Sequence, residues 1–245
     1  MQALEQVGLR APVRFDEVTR STQATALDMA EAGTAEWTLV AAEHQTEGRG
    51  RLGRTWVDEP GRALMFSLVL RPGFAADFAG LITIFAGAMM AEACRARTGA
   101  HVTCKWPNDL LLDGRKVGGI LAESKVGPEG RLEHVVLGVG VNLDRAPAEV
   151  PNAGALAGAD PQELLVAFLY RFRTLYGPAM PDLAAEILAA ARGVSATVGT
   201  RVRATTVDGS LVVGEAVDLD PHGGLVVRTA EADEVVRFGE VEHLE

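Results

Sequence analysis

The residues best suited to chemistry lie in one short segment, residues 48–54, which reads GRGRLGR. Three arginines and three glycines occur there without a carboxylate. Guanidinium groups bind phosphate or carboxylate through paired hydrogen bonds, and glycines let the backbone approach a ligand closely. Because the whole chain carries a formal net charge of −10, this positive segment is a local feature. It predicts an arginine loop (residues 48–54) that binds an anion.

The same loop also fits G-x-G-x-x-G, the pattern of dinucleotide-binding folds. That pattern functions where a strand precedes it and a helix begins within it, so that pyrophosphate meets the helix N-terminus. A strand is predicted before it, but residues 55–61 (TWVDEPG) are typical of a loop and turn. The acidic residue expected about 20 positions further on is also missing. The dinucleotide interpretation is therefore disfavoured, and a solvated basic loop remains the simplest alternative to an anion site.

Composition limits the class of protein. The chain has 245 residues, of which 48% are hydrophobic, enough for one large domain or one domain with a small appendage. A net charge of −10 argues against nucleic acid or a membrane surface as partner. Cys94 and Cys104 lack C-x-x-C spacing and are expected to be buried thiols of a cytosolic protein, and the five histidines are too scattered for a metal site.

Location follows from what the sequence lacks. The N-terminus has no basic region followed by an apolar run, so no signal peptide is predicted. The longest apolar stretch, residues 81–93, is interrupted by Thr83 and Glu92 and is shorter than a bilayer span. We expect it to be a core helix of a cytoplasmic protein.

Strand and helix patterns alternate through the first part of the chain. Ser21 can cap a helix that Gly33 ends, and Asp113-Gly114 predicts a tight hairpin. Residues 147–160 are rich in Ala, Gly and Pro and are expected to form a connecting loop. Strands are predicted at residues 38–42, 63–70, 101–105, 109–112, 116–124 and 134–141, and helices at 21–32, 76–98, 161–176 and 181–192.

The pattern changes near residue 200 to short β runs separated by turns. Such spacing suggests a small barrel of about 45 residues attached to a mixed α/β domain. We therefore expect an α/β (α+β) fold with a catalytic domain at residues 1–195 and a small β domain at 196–245. The strands of the second domain are predicted at residues 201–206, 211–219, 225–229 and 234–238.

Three further segments accompany the arginine loop: KWPND at residues 105–109, KVGGILAE at 116–123 and GVGVN at 138–142. In this order and spacing, the four motifs closely resemble those of biotin–protein ligases. The resemblance covers roughly residues 21–142, and the small C-terminal β domain also fits the family. It implies a mixed-sheet catalytic domain like that of class II aminoacyl-tRNA synthetases and biotin–lipoate ligases, followed by an SH3-like β-barrel.

The resemblance also implies an activity. The family converts biotin and ATP to biotinyl-5′-adenylate and pyrophosphate, then transfers the biotinyl group to one lysine of a biotin carboxyl carrier domain. Biotin, ATP and Mg²⁺ are thus the implied ligands, and the carrier domain of a biotin-dependent carboxylase is the implied partner. Since the chain begins only about twenty residues before Ser21, we expect the monofunctional type without an N-terminal DNA-binding domain.

By the same resemblance, Arg49 and Arg51 contact the biotin carboxylate and the phosphate, and Lys116 lies between the reacting groups. Fixed cations of this kind screen the repulsion between two anions. Asp109 is expected to organise the Mg²⁺ that accompanies ATP. The other implied biotin- and ATP-binding positions are Ser21, Thr22, Gln23, Gln45, Gly48, Gly50, Arg54, Trp56, Gly118, Gly119, Gly138, Gly140 and Asn142.

Several of these residues also suit purely structural roles. Ser21 and Thr22 are common helix caps, Trp56 can be ordinary core, and Asn108-Asp109 can be a turn. Two other functions also remain open: a lipoate or octanoate ligase or transferase of the same fold, and a non-catalytic biotin-binding sensor. The arginine loop and KWPND favour biotin, and Lys116 favours catalysis. Whether the C-terminal domain contacts ATP or only the carrier is also open, with Arg201, Arg203, Arg228 and Arg237 as candidates.

Overall fold

A seven-stranded mixed sheet forms the larger part of the protein. The computed structural model describes residues 2–244. The sheet order is β1-β2-β5-β9-β8-β7-β6, with β1 and β2 parallel and every other neighbouring pair antiparallel. Its strands are β1 (Val13–Thr19), β2 (Leu39–Gln45), β5 (Ala63–Leu70), β6 (Thr103–Lys105), β7 (Asp109–Leu112), β8 (Arg115–Val126) and β9 (Leu132–Asn142). A small hairpin of β3 (Gly48–Arg49) and β4 (Thr55–Trp56) stands apart from it.

The helices cover both faces of this sheet. Because side chains alternate along a strand, neighbouring residues of one strand enter different clusters. Val40, Val69 and Val136 pack against α2 (Thr22–Glu31), whereas Leu39, Leu68 and Leu137 belong to the main core on the other face. That core is completed by α1 (Gln2–Gln6), α3 (Ala79–Thr98), α4 (Pro161–Leu175) and α5 (Ala184–Gly193).

The long apolar helix is part of this core. Residues 76–98 are long and apolar enough to cross a membrane, yet 61% of the most apolar window is buried inside the protein. Phe85 stacks on Phe172 of α4 with ring centroids 5.1 Å apart. The prediction of a core helix at residues 81–93 is confirmed.

A tight turn aligns the two strands that carry the central motifs. Asp113 and Gly114 both have positive φ angles, 51° and 74°, as the two-residue hairpin turn between β7 and β8 requires. β8 continues well past the end of β7 and pairs along its length with β9. The motifs at residues 105–109, 116–123 and 138–142 therefore lie side by side.

The C-terminal part is a five-stranded antiparallel sheet in the order β13-β12-β11-β10-β14. Trp106 anchors it to the first domain, because its Nε1 donates to the Gly223 carbonyl at 3.0 Å and its amide donates to Thr197 at 3.0 Å. His222 packs on Phe78 with ring centroids 4.5 Å apart. The strands are β10 (Arg201–Thr206), β11 (Leu211–Leu219), β12 (Leu225–Arg228), β13 (Asp233–Val236) and β14 (Gly239–His243).

The observed elements agree with the predicted fold class, a mixed α/β domain followed by a small antiparallel one. Every predicted strand and helix is present with shifts of a few residues at its ends. The helix α1 and the strands β1, β3, β4 and β14 were not predicted.

Candidate active site

The arginine loop is a folded hairpin. β3 and β4 pair at Gly48↔Trp56, and the Gly50 amide donates to the Arg54 carbonyl at 2.7 Å. Leu52 has a left-handed φ of 53°, and Gly53 follows at 73°. The segment after the loop is a strand, so no helix N-terminus is available for a pyrophosphate. The structure thus agrees with rejecting the dinucleotide interpretation.

The loop forms one wall of a cavity of about 430 Å³ on the α2 face of the sheet. Most of the site residues expected from the sequence line this cavity. They are Thr22, Gln23, Gln45, Arg49, Gly50, Arg51, Arg54, Trp56, Asp109, Lys116, Gly119, Gly138, Gly140 and Asn142.

Arg51 is held from two directions. One guanidinium nitrogen donates to Asn108 Oδ1 at 3.1 Å, and another donates to the Gly239 carbonyl of the C-terminal domain at 3.2 Å. Burial lowers the pKa of its guanidinium, while Glu240 and Asp109 oppose that shift. An arginine stays protonated at neutral pH even so. These two hydrogen bonds fix the orientation of the guanidinium. Because the group has five N–H donors, others remain for a ligand in the cavity.

Arg54 is tied to the C-terminal domain by an ion pair, with its guanidinium 2.7 Å from Glu240 Oε2. Glu240 and Val241 line the cavity beside it. The four C-terminal arginines considered from the sequence do not line the cavity, and three of them pair elsewhere: Arg203 with Glu242, Arg228 with Asp233 and Arg237 with Asp220.

Lys116 lines the cavity from β8. Its Nζ is 2.6 Å from Asp109 Oδ1, which uses one of the three ammonium protons. A Cβ at Gly119 would lie 3.6 Å from Lys116 Cε and 3.7 Å from Nζ, so the lysine side chain runs over this glycine. The β7–β8 hairpin therefore sets the position of the ammonium group.

The floor of the cavity is a set of polar side chains that bond to one another. We call Thr22, Gln23, Gln45 and Ser67 the polar floor. Gln45 Oε1 accepts from the Thr22 amide at 2.7 Å and its hydroxyl at 3.1 Å, and Gln23 Oε1 accepts from Ser67 at 3.1 Å. Gln23 Nε2 donates to the Val136 carbonyl at 3.0 Å. All four side chains are buried, so this part of the site is preformed.

Two glycines of β9 make room for the side chains above them. A Cβ at Gly138 would lie 2.5 Å from Gln23 Oε1, and one at Gly140 would lie 2.7 Å from the Trp56 ring. Trp56 Nε1 is buried and has no hydrogen-bond partner among residues 2–244. Leu121, which pairs with Gly138 on the same face of the sheet, completes the apolar walls. The cavity thus combines apolar walls with polar groups at both ends.

Three expected site residues lie outside the cavity lining. Ser21 is buried and caps α2, accepting from the Ala24 amide at 3.4 Å. Gly48 packs against the Trp56 carbonyl, and Gly118 lies where a Cβ would be 2.6 Å from the Gly140 carbonyl. In this structure these residues shape the site without facing it. Asn142 faces it and also donates to the Gly154 carbonyl at 3.0 Å.

Supporting residues were missed in the sequence. Asn108 orients Arg51, and Ser67 joins the polar floor. Asp58 is buried and accepts from the Gln45 amide at 3.2 Å, while His44 Nδ1 lies 2.9 Å from its other oxygen. Asn108 stands inside the KWPND motif, which was a usable signal. Asp58 lies in a segment that resembles an ordinary turn.

No group of three or more His, Cys, Asp or Glu side chains that could hold a metal is found in the described part of the chain. Asp109 is a single carboxylate, and one of its oxygens contacts Lys116. Mg²⁺ commonly binds through one or two carboxylates together with substrate phosphates. The donor set therefore fits a metal that arrives with a nucleotide.

Comparison with known proteins agrees with this geometry. Residues 15–142 match the model of the biotin/lipoate A/B protein ligase family, and residues 197–244 match that of the biotin protein ligase C-terminal domain. The biotin–[acetyl-CoA-carboxylase] ligase of Mycobacterium tuberculosis is 35% identical over 244 residues, with 92% of this chain and 86% of that protein covered. This chain belongs to the biotin protein ligases. A second relative and a solved structure agree with this assignment.

The bifunctional ligase/repressor BirA of Bacillus spizizenii is 30% identical over 238 residues, covering 93% of this chain and 73% of that protein. The solved structure of the Aquifex aeolicus biotin protein ligase in complex with biotin and ATP has a TM-score of 0.73 at 23% identity. It covers 95% of this chain and 98% of that one. The predicted family and fold class are confirmed.

Proposed function

We propose that this chain activates biotin with ATP to biotinyl-5′-adenylate and transfers the biotinyl group to a lysine of a biotin carboxyl carrier domain. The observation that supports the proposal is a cavity in which the polar floor, apolar walls and a group of cationic side chains meet. We call these cationic side chains, Arg49, Arg51, Arg54 and Lys116, the cationic roof. Biotin is a small apolar bicycle with a polar ureido end and a carboxylate at the other end. The cavity offers matching groups in the same order.

The polar floor suits the ureido end. Gln45 Nε2 donates to the Met65 sulfur at 3.2 Å, which is a weak acceptor. An amide carries two N–H donors, so at least one can reach a ligand oxygen. Above the floor, the Trp56 ring and Leu121 suit the apolar bicycle, and the buried Trp56 Nε1 has no acceptor among residues 2–244.

The cationic roof suits the reacting groups. Activation brings the biotin carboxylate and the α-phosphate of ATP together, so their repulsion must be screened. Arg51 is already oriented by Asn108 and Gly239, which leaves less reorganisation for the reaction step. Lys116, held by Asp109, supplies a second fixed charge. Arg49 and Arg54 add further cations on the loop.

We assign Asn142 and Gly119 to the nucleotide side of the cavity, and Asp109 to the Mg²⁺ carried by ATP. The metal, when bound, neutralises phosphate charge. The residues of the chain hold the nucleotide, orient the two anions and exclude water under the arginine loop. The carrier is proposed to be a domain of acetyl-CoA carboxylase, the protein named for the Mycobacterium tuberculosis relative. Residues 1–195 bind both small substrates, and residues 196–245 support the roof.

The first test separates biotin from related acids. The protein is incubated with Mg²⁺, ATP labelled at the α-phosphate, and biotin, lipoate or octanoate, and the products are separated by chromatography. We expect a labelled adenylate from biotin alone, followed by biotin transfer when a carrier domain is added. Adenylate from lipoate or octanoate alone would move the chain to the lipoate enzymes. Biotin binding without adenylate by folded protein would support a sensor.

A further inference from the structure

A second cavity lies on the outer side of the arginine loop, between the loop and β8. Its volume is about 480 Å³, and its lining includes Thr46, Glu47, Gly53 and Glu123. The two cavities share five lining residues, so only the loop separates them. The shared residues are Arg49, Gly50, Arg54, Thr55 and Leu121.

One row of β8 side chains connects the two cavities. Residues 119, 121 and 123 lie on the same face of the strand, because strand side chains alternate. Gly119 lines the inner cavity, Leu121 lines both, and Glu123 lines the outer one. A molecule entering through the outer cavity thus passes Glu123 before it reaches the adenylate site.

Glu123 carries a carboxylate oxygen without a donor. Its Oε2 is buried and has no hydrogen-bond partner among residues 2–244. The side chain is only partly buried, lines the cavity and forms no ion pair among residues 2–244, so its carboxylate can take a cationic ligand there. The nearby cations are engaged elsewhere: Lys125 with Glu31 at 2.7 Å and Arg54 with Glu240 at 2.7 Å. Glu47 is paired with Arg20 at 2.7 Å.

We propose that the outer cavity is the entry site for the acceptor lysine and that Glu123 holds its ammonium group before transfer. This inference rests on the proposed ligase function. Arg51 and Lys116 line only the inner cavity, which binds anions, whereas Glu47 and Glu123 line only the outer one, where an acceptor that arrives as a cation needs a carboxylate. Glu123 supplies that carboxylate next to the loop, on the side away from the C-terminal domain residues Glu240 and Val241.

Transfer then follows from the bound lysine. The ammonium gives up one proton to solvent, and the amine attacks the carbonyl carbon of the adenylate. The new nitrogen–carbon bond forms as the carbon–oxygen bond to phosphate breaks, AMP leaves with that electron pair, and a second proton is lost as the amide forms. Glu123 binds the cation and takes no part in bond breaking.

Arg49 offers an alternative partner for the Glu123 carboxylate, because Arg49 lines both cavities. If Arg49 turned towards Glu123 when the loop closed, the carboxylate would serve adenylate formation instead of lysine capture. The two roles differ in the step they affect. An ammonium site affects only the reaction with lysine, whereas a loop contact affects the reaction of biotin with ATP.

The test uses Glu123→Gln, which keeps the shape and removes the charge, with Glu123→Asp as the conservative variant. Glu133→Gln is the matched control, because Glu133 is exposed on β9 and pairs only with Lys125 among the described residues. Single-turnover adenylate formation is measured first. Biotinyl transfer is then measured to a purified carrier domain of acetyl-CoA carboxylase and to hydroxylamine, which is uncharged at neutral pH.

We expect Glu123→Gln to form adenylate at the normal rate but to lose about tenfold in kcat/KM for the carrier, mainly through KM, as for loss of a hydrogen bond to a charged group. Transfer to hydroxylamine stays unchanged, Glu123→Asp recovers part of the carrier reaction, and Glu133→Gln matches the parent. Slower adenylate formation, an equal loss with hydroxylamine, or no loss at all would overturn the inference. Failure of the parent protein to form adenylate would instead reject the proposed function.

Discussion

The polar floor and the arginine loop border the same cavity but are held by different kinds of contact. The floor consists of buried side chains that bond to each other across α2, β2 and β5. The loop is largely exposed and is fixed at its tip by contacts with Asn108, Gly239 and Glu240. A preformed floor can select the ligand, while an exposed loop that is held by a few contacts can open to admit it and close to exclude water.

The largest expected effect is on the charges that act at the reacting centre. Lys116→Ala removes an ammonium that Asp109 holds in place. Losing one preorganised charge contact costs about 10²–10³ in rate, or about 3–4 kcal/mol. Adenylate formation is the measurement, in single turnover with biotin and ATP. The melting temperature should hardly change, because the pair is partly exposed and such pairs contribute little to stability.

Arg62→Ala is the matched control for that experiment. Arg62 is exposed, and its guanidinium lies 3.7 Å from Asp144, outside the cavity lining. It should retain the parent rate. Normal adenylate formation by Lys116→Ala would remove this residue from the catalytic machinery.

A smaller effect is expected where β9 contacts the Trp56 ring at the end of the β3–β4 hairpin. Gly140→Ala places a Cβ 2.7 Å from the Trp56 ring, so the ring must move away from β9. We expect biotin affinity to fall about tenfold, since overpacking costs about 1–3 kcal/mol. Isothermal calorimetry measures it. Gly177→Ala, where a Cβ meets nothing within 4 Å, is the control; equal binding by both variants would contradict a Trp56-lined biotin site.

Local features of the site could be predicted from the sequence because they are written in consecutive residues. The arginine loop, the Asp113-Gly114 turn and the row of glycines in β9 each depend on neighbours a few positions away. The partners of Arg51 could not be found in this way. Asn108 is 57 positions from it and Gly239 is 188 positions away, so only the fold brings them together.

The missed strands have a similar explanation. β1 is an edge strand whose burial follows no regular alternation, and it carries Arg14, Asp16 and Glu17 in its middle. β14 is five residues long, with a glycine at its start and two glutamates. Neither has the apolar alternation that identifies a half-buried strand. Both are strands because a neighbouring strand supplies hydrogen bonds: β2 for β1 and β10 for β14.

Amide exchange compares the two regions directly. Biotin should slow exchange across residues 48–56, where the loop is exposed, and should leave the amides of Thr22 and Gln45 nearly unchanged. Those two amides already donate, the first to Gln45 Oε1 at 2.7 Å and the second to Asp58 at 3.2 Å. Exchange reports local opening, so a loop that is held by few contacts has the most protection to gain. Equal protection of the loop with and without biotin would reject ligand-induced closure.

The smallest expected effect is on the ion pair that ties the loop to the C-terminal domain. Glu240→Gln removes the charge opposite Arg54, and both side chains are substantially exposed, at 39% and 69%. Exposed pairs contribute about 0.2–1 kcal/mol, so adenylate formation should slow by no more than about fivefold. The loss should shrink at high salt, because salt already screens the pair in the parent. Glu242→Gln, which removes a pair with Arg203 outside the cavity lining, is the control. A loss as large as that of Lys116→Ala would mean that the C-terminal domain acts on the reacting centre itself, not only through the position of the loop.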